Sequence, residues 1–387
     1  MGRQFTLVSL DGHVLEPPDL WQKRAPAKLK EGAPQITTDP EGRAFWVVEG
    51  EKRPYGVGGL GCAGGRRFED ITPEPYVGGY DALPRSFYDG KARVEALDIA
   101  GVDVDVTVPG SLTGQGGEGF LDVKDPELRL FCSQAYNDFI IDEFCAGNLD
   151  RFIPYCALPL WDVELMVKEL DRCLKKGFKA PLFVSAPEGI GLKPLSHTYW
   201  DPFFAACQAA EVPIILHSGT GLPPGPFPNF REILREGASL TPLAFIASAF
   251  MGNAYPAAHI AYSDLLERFP GLKFVFLESA IGWVPHFIER ADDAYHRQRF
   301  WAKAPSKRPP SEVLRRGVYF TFWDDPVGIE LRHHIGVENI MFVQDFPHSI
   351  TPWPNTRVIA EKQLAQIPPD ERYMIMAGNA VKLFKLA

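Results

Sequence analysis

No run of about 18 consecutive apolar residues occurs in the 387-residue chain, which excludes a membrane-spanning helix. An excess of basic charge is also missing. Forty Lys and Arg stand against 49 Asp and Glu, a formal net charge of -9, so neither nucleic acid nor an anionic membrane is an expected partner. The six cysteines, Cys62, Cys132, Cys145, Cys156, Cys173 and Cys207, form no CxxC pair or other metal spacing. They read as reduced thiols, and a cytoplasmic protein is expected. The opening MGRQFTLVSLDGH has no apolar h-region and no small-residue cleavage site, so no secretory signal is expected there. Its first residues fit a loose myristoylation pattern, but Phe5–Leu10 reads better as a strand. Internal repeats and low-complexity tracts are absent as well.

What is present is a large, mixed chain: 45% hydrophobic, 23% charged, with 35 Pro and 35 Gly. Short β-branched runs alternate with longer helical patterns, the mark of βα units on a parallel sheet. Strands are expected at Thr6–Leu10, Val102–Val108, Phe152–Leu158, Ala180–Val184, Val212–Leu216, Leu272–Leu277, Val318–Phe322 and Ile340–Val343. Helical patterns follow them at Pro126–Ala146, Val163–Lys176, Trp200–Ala210, up to about Arg268, at Val284–Gln298, at Val327–Ile335 and towards the C-terminus. A further helix, Lys91–Ile99, ends at Gly101, a C-cap signal. Eight strand–helix pairs favour an α/β fold of the (β/α)8 TIM-barrel class over a doubly wound sheet. The whole chain, 1–387, is read as one barrel domain with a long insertion after strand 1. Residues 16–88 are rich in Pro, Gly and charge, too long for a bare loop, and 25–88 are read as an inserted cap.

In a barrel of this class, chemistry sits at the C-terminal ends of the strands. The polar residues just past the apolar runs are therefore informative. Strand 1 runs into Asp11-Gly12-His13, strand 5 into His217, strand 6 into Glu278, and strand 8 into Asp345 followed by His348. Asp11 and His13 are two apart and share one face of an extended segment. Three His and three carboxylates are a metal-ligand set in kind and number. Each has a plainer reading. Asp345 can cap a helix, Glu278 can pair with an Arg such as Arg290, and a lone His is often hydrogen-bonded structure. Four strands breaking alike at one end is what favours the metal. His197 precedes a helix and can reach the site or be structural. His259, His286 and His296 fall within helices, and His333 and His334 lie near a helix C-terminus. Asp324 or Asp325 can line a pocket or open a turn. Trp21, Tyr76, Tyr80, Trp161, Trp200, Trp283, Trp323 and Trp353 crowd the same loops and fit ordinary packing as well as a pocket wall.

The segments SLDGHVLEPPDLW, AYNDFIIDEF, RFIPYCALPLWDVE, VPIILHSGTG, ERFPGLKFVFLESAIGWVPHFIERADDAY, NIMFVQDFPHSITPWPNT and GNAVKLF span essentially the whole chain. Together they resemble the amidohydrolase-related ("amidohydrolase 2") branch of the amidohydrolase superfamily. That resemblance implies a (β/α)8 barrel with a divalent metal at the strand ends. In the family's decarboxylases one metal is held by positions that correspond here to Asp11, His13, His217 and Asp345, which suit Zn²⁺, Mn²⁺ or Fe²⁺. Those decarboxylases carry a catalytic His at the end of strand 6, where this chain has Glu278. No carboxylated-lysine bridge is apparent, since Lys179 precedes strand 4 rather than lying in it.

With Asp11, His13, His217, Glu278, Asp345 and His348 there are enough ligands for two ions about 3.5–4 Å apart. Relatives that share the Glu imply a dinuclear Fe or Mn/Fe monooxygenase. The favoured expectation is therefore such an oxygenase acting on a small, carboxylate-bearing molecule, with Glu278, Asp345 and His348 at the chemistry. The alternative is a mononuclear Zn or Mn decarboxylase or hydrolase with Glu278 as acid/base. A second alternative is a non-catalytic partner subunit. A dimer or higher oligomer, perhaps with a homologous subunit, is expected from the resemblance.

Overall fold

Two substitutions in the ladder decide how the first strands form. Asp105–Val106 (β5) and Val108–Pro109 (β6) are separated by Thr107, whose hydroxyl accepts the Tyr155 amide at 3.0 Å in place of a backbone carbonyl. Phe152–Ile153 (β7) and Tyr155–Cys156 (β8) are separated by Pro154, which has no N–H to give. The continuous strands expected at Val102–Val108 and Phe152–Leu158 are thus each two short ones.

The computed structural model describes residues 5–221, 243 and 247–386. Most of the Gly/Pro-rich loop expected over Ser218–Pro228, from 222 onward, and much of the helical stretch after it lie outside these residues. The chain divides into two compact units, residues 1–182 with 342–387 and residues 183–341. The cuts fall inside the strands Ala180–Val184 (β9) and Ile340–Phe342 (β13).

In the first unit, His13–Val14 (β1) pairs in parallel with β6, β5 with β7, and β8 with β9. Bridges at Val8–Val104 and Gly12–Phe346 extend the contacts of the first segment on both sides. Asp-Gly-His is therefore not past the end of strand 1, as expected, but inside its paired stretch. The insertion forms its own antiparallel sheet of Gln35–Thr38 (β2), Ala44–Val48 (β3) and Glu51–Gly56 (β4). β3 alternates buried and half-buried residues, with Ala44, Trp46 and Val48 inward. Leu15, Val57, Cys62, Tyr76, Leu83, Phe87, Ala96 and Phe346 pack with Ala44 in one core that joins the insertion to strands 1 and 8.

The helices follow their caps. Asp162 accepts from the amides of Glu164 and Leu165 and opens the helix Val163–Lys176, which ends at Gly177 with φ 108°. Asp125 does the same for Pro126–Phe139, and Asp89 for Gly90–Ala100 before Gly101. The pattern to Ala146 continues past Phe139 as a π-turn, Ile140–Phe144. In the second unit, Ile214–His217 (β10), Phe274–Leu277 (β11) and Val318–Phe322 (β12) lie side by side in parallel and are almost wholly buried. The helix after β11 runs Val284–Ala302, and the pattern at 327–335 is split into Pro326–Glu330 and Arg332–Ile335. Among the described residues no helix is long and apolar enough to cross a membrane. All six cysteines are buried and none is in a disulfide.

Candidate metal centre

The backbone of strand 1 is clamped from both sides, and this is what aims its side chains. The Asp345 amide donates to the Asp11 carbonyl at 3.0 Å, the His13 amide to Phe346 at 2.7 Å, and the Val108 amide to Gly12 at 2.9 Å. Asp11, His13 and Asp345 are fully buried as a result. His13 Nδ1 lies 3.3 Å from the Pro109 carbonyl. A carbonyl only accepts, so Nδ1 carries a hydrogen, and Nε2 is the nitrogen turned towards the carboxylates. That Nε2 lies 3.3 Å from Asp11 Oδ1 and 3.0 Å from Asp345 Oδ1. His348 Nδ1 lies 3.3 Å from the same Asp345 oxygen, and its ring stacks on His13 with centroids 3.6 Å apart. One ligand atom from each of His13, Asp345 and His348 falls within 4.8 Å of the others.

Two buried carboxylates turned towards one imidazole nitrogen call for positive charge there, from a proton on Nε2 or from a cation between them. Burial disfavours the imidazolium of His13, yet the hydrogen bonds and charges of Asp11 and Asp345 outweigh it and push His13 up to about 10. Burial likewise works against the Asp345 carboxylate, but His348 and His13 hold it well below the usual carboxylate range. The nitrogen and carboxylate donors gathered here suit a divalent cation. The residues present therefore fit a metal. A cleft of about 220 Å³, walled by Arg66, Phe68, Ile71, Thr351 and Trp353, opens on the segment after His348.

In the second unit, His217 closes β10 opposite Leu277, so Glu278 is the next residue beyond its partner. His217 Nδ1 donates to the Ser218 carbonyl at 2.8 Å, leaving Nε2 to face Glu278 Oε2 at 3.8 Å. The ring orientation is that of a typical metal-bound His, whose other nitrogen is tied to a carbonyl. Glu278 has φ 48° and Asp345 φ 50°. Both strand-end carboxylates thus occupy the left-handed region, which costs a non-glycine residue about 1–2 kcal/mol. Arg290 pairs with Asp293 at 2.7 Å rather than with Glu278.

Several residues weighed from the sequence have structural duties. Asp325 Oδ2 accepts the amides of Ile281 and Gly282, each at 2.7 Å, and Oδ1 caps the next helix at Gly328. Asp324 is exposed. His197 is exposed and accepts from the Tyr199 amide. His259 faces Glu188 at 3.5 Å. Trp21 and Trp200 are buried in aromatic packing. Sequence reasoning missed Glu16, a buried carboxyl raised by desolvation that accepts from the Thr113 amide at 2.8 Å. It also missed the buried Arg93, Asp105 and Gln344; their only sequence signal is a polar or charged side chain inside an otherwise apolar helix face or strand.

The amidohydrolase family model matches residues 65–386. The chain belongs to the amidohydrolase family. This amidohydrolase is 31% identical over 287 residues to the gamma-resorcylate decarboxylase of Rhodococcus jostii, covering 68% of this chain and 79% of that one. Among solved structures it resembles an amidohydrolase from Mycobacterium avium subsp. paratuberculosis, with a TM-score of 0.75 and 22% identity over 99% and 100% of the two chains. A Polaromonas dihydroxybenzoic acid decarboxylase, solved with manganese and 2-nitroresorcinol, gives 0.62 and 21% over 99% and 98%. The fold class is the α/β (β/α)8 barrel of these proteins, and the amidohydrolase is a metal-dependent enzyme of that superfamily. The relatives named for an activity are decarboxylases, which matches the alternative reading better than the favoured iron or manganese–iron monooxygenase. The metal named among them is manganese, and neither iron nor a two-ion site is supported.

Proposed function

We propose that this amidohydrolase is a divalent-metal-dependent decarboxylase of a small carboxylated aromatic acid, with Asp11, His13, His217 and Asp345 as ligands. The observation that carries the reading is His13 Nε2 directed at two buried carboxylates, at 3.3 and 3.0 Å. The relatives supply the reaction class and manganese. A bound divalent ion would supply Lewis acidity and would anchor an oxygen of the substrate. The chain's own groups do the rest. The Pro109 and Ser218 carbonyls hold the two imidazoles in the ligating tautomer.

Loss of CO₂ breaks the bond between ring and carboxyl and leaves its electron pair on the ring carbon, which must then take a proton. Glu278 is the proposed carrier. It stands one residue beyond the strand and is 20% exposed, so it exchanges protons with solvent between turnovers. His348, 15% exposed and stacked on His13, borders the ligand pair His13 and Asp345 and is proposed as a substrate-facing group.

The test is titration of metal-stripped protein with Mn²⁺, followed by CO₂ release from a panel of hydroxylated benzoic acids, with Glu278→Gln alongside. One equivalent of Mn²⁺ and CO₂ from at least one acid are expected. The Gln variant should keep the metal and lose about 100-fold or more in turnover. Two equivalents of iron with O₂ consumption would instead restore the oxygenase, and loss of one metal in the variant would make Glu278 a ligand.

A further inference from the structure

We infer that Arg93, Asp105 and Gln344 are positioning residues for the metal centre, a buried strut that sets the spacing of the two ligand-bearing strand ends. The inference rests on the metal reading above. All three side chains are fully buried, and none belongs to the ligand set. Arg93 projects from the helix Gly90–Ala100 and makes three different attachments. Its Nε donates to the Ser86 carbonyl at 2.8 Å, its Nη1 to Asp105 Oδ2 at 3.2 Å, and its Nη2 to the carbonyl of His13 itself. Its guanidinium also lies 4.8 Å from the ring centroid of Phe346, the neighbour of Asp345. One cation therefore touches the backbone of one ligand and the chain neighbour of another.

Asp105 completes the strut from the opposite side. Its Oδ2 also accepts from Gln344 Nε2 at 3.2 Å, and Gln344 Oε1 accepts from Thr356 at 3.3 Å. Gln344 directly precedes Asp345, and its amide donates to Ser9 Oγ at 3.0 Å, which in turn donates to the Asp11 carbonyl at 2.9 Å. The carboxylate of Asp105 sits under Gly12, where any Cβ would come within 2.4 Å of Oδ1. The residue between the two strand-1 ligands is thus moulded on the strut. A buried pair needed only for stability could be replaced by apolar side chains at little cost. This pair instead ends on groups that belong to, or adjoin, Asp11, His13 and Asp345. Outer groups of this kind hold first ligands in place and typically carry 10–100-fold in metal affinity.

The experiment measures Mn²⁺ affinity by chelator competition, and thermal unfolding of the metal-free protein, for Gln344→Met, Arg93→Lys and Glu169→Gln. Glu169 lies in a separate buried network with Arg172, Asn137 and Gln134 and serves as the stability control. Gln344→Met is expected to weaken Mn²⁺ binding about tenfold or more while the control keeps wild-type affinity, even where their melting temperatures fall equally. Arg93→Lys keeps the charge but not the three-way fork and should weaken binding further; if it does not fold, Gln344→Met decides. Unchanged affinity in Gln344→Met, or an equal loss in the control, would overturn the assignment while leaving the metal reading intact. A wild-type protein that binds no Mn²⁺ would overturn both.

Discussion

Gly12→Ala places one methyl group at the point where the two strand-1 ligands meet their support. No left-handed backbone is required at Gly12, so alanine alone would gain about 0.4–1 kcal/mol through the unfolded chain. The space decides otherwise. The new Cβ would lie 2.4 Å from Asp105 Oδ1, 2.5 Å from Oδ2 and 2.7 Å from Cγ, where real separations stay above 3.0 Å. Asp105 must therefore retreat by about 0.6 Å or strand 1 must lift. The Arg93 and Gln344 bonds to Asp105 are both already 3.2 Å, the long end of the normal range. Retreat breaks at least one, a loss of about 1.5–3 kcal/mol for a charged partner, and overpacking adds about 1–3 kcal/mol. After the backbone gain, a net destabilisation of about 1.5–5.5 kcal/mol is expected, or a fall of roughly 2–7 °C in Tm for a chain of this length. Mn²⁺ affinity should fall with it. The assay is calorimetry of the metal-free protein together with chelator competition. Gly147→Ala is the reference: its φ is 77° with nothing within 4 Å, so it reports backbone strain alone. A Gly12→Ala protein that melts within a degree of wild type and binds Mn²⁺ normally would refute the reasoning.

Asp345→Asn keeps the shape but removes one of the two carboxylates that face His13 Nε2, and should weaken Mn²⁺ binding by more than about 100-fold, beyond what supporting residues carry. Asp325→Ala strips three amides of their acceptor, at Ile281, Gly282 and Gly328, and should cost about 3 kcal/mol by denaturant titration. For Glu169, burial works against the carboxylate, but Arg172, Asn137 and Gln134 outweigh it and hold it below its usual value of 4.5. The unfolded chain therefore binds the proton first as pH falls. The stabilisation is complete well above 4.5, declines below it and is gone once pH has passed the folded value, so Tm of wild type should drop more steeply from pH 5 to 3 than that of Glu169→Gln.

The legible part of the fold is the part written in local chemistry. Ala180–Val184 and Val318–Phe322 are strands with the boundaries expected of five-residue buried runs, and Val163–Lys176 is a helix between an Asp cap and a Gly stop. The early strands break where a side chain replaces a backbone group, at Thr107, or where an N–H is absent, at Pro154; periodicity does not register either event. The ligand candidates could be proposed from the sequence because several apolar runs end alike in a polar residue, although each such residue alone has a plainer explanation. The strut was not, because Arg93, Asp105 and Gln344 are brought together across 12 and 239 residues of chain, with no motif to join them. The oxygenase reading leaned on one residue, Glu278, and a carboxylate at a strand end is equally at home as a ligand or as a proton carrier.

Glu278 and Asp345 repay comparison, since both occupy the left-handed region at the end of a buried strand. A left-handed residue turns the chain sharply, so the following residues leave the strand direction at once. After Asp345 the chain bends to bring His348 back onto Asp345 itself, with its amide donating to the Asp345 carbonyl at 2.8 Å. After Glu278 the chain is caught by Asp325, which accepts two successive amides at 281 and 282, and by Ser279, whose hydroxyl bonds to the backbone of Thr321. The two bends are held by different means but cost the same, about 1–2 kcal/mol each. Backbone strain of this kind persists only where surrounding contacts over-determine it. Asp345 is wholly buried among imidazoles, whereas Glu278 keeps a fifth of its side chain exposed. The same turn thus delivers one carboxylate to a dry position suited to holding an ion, and the other to a wet one suited to exchanging a proton. That difference in solvent access, rather than residue type, is what separates the proposed ligand from the proposed acid.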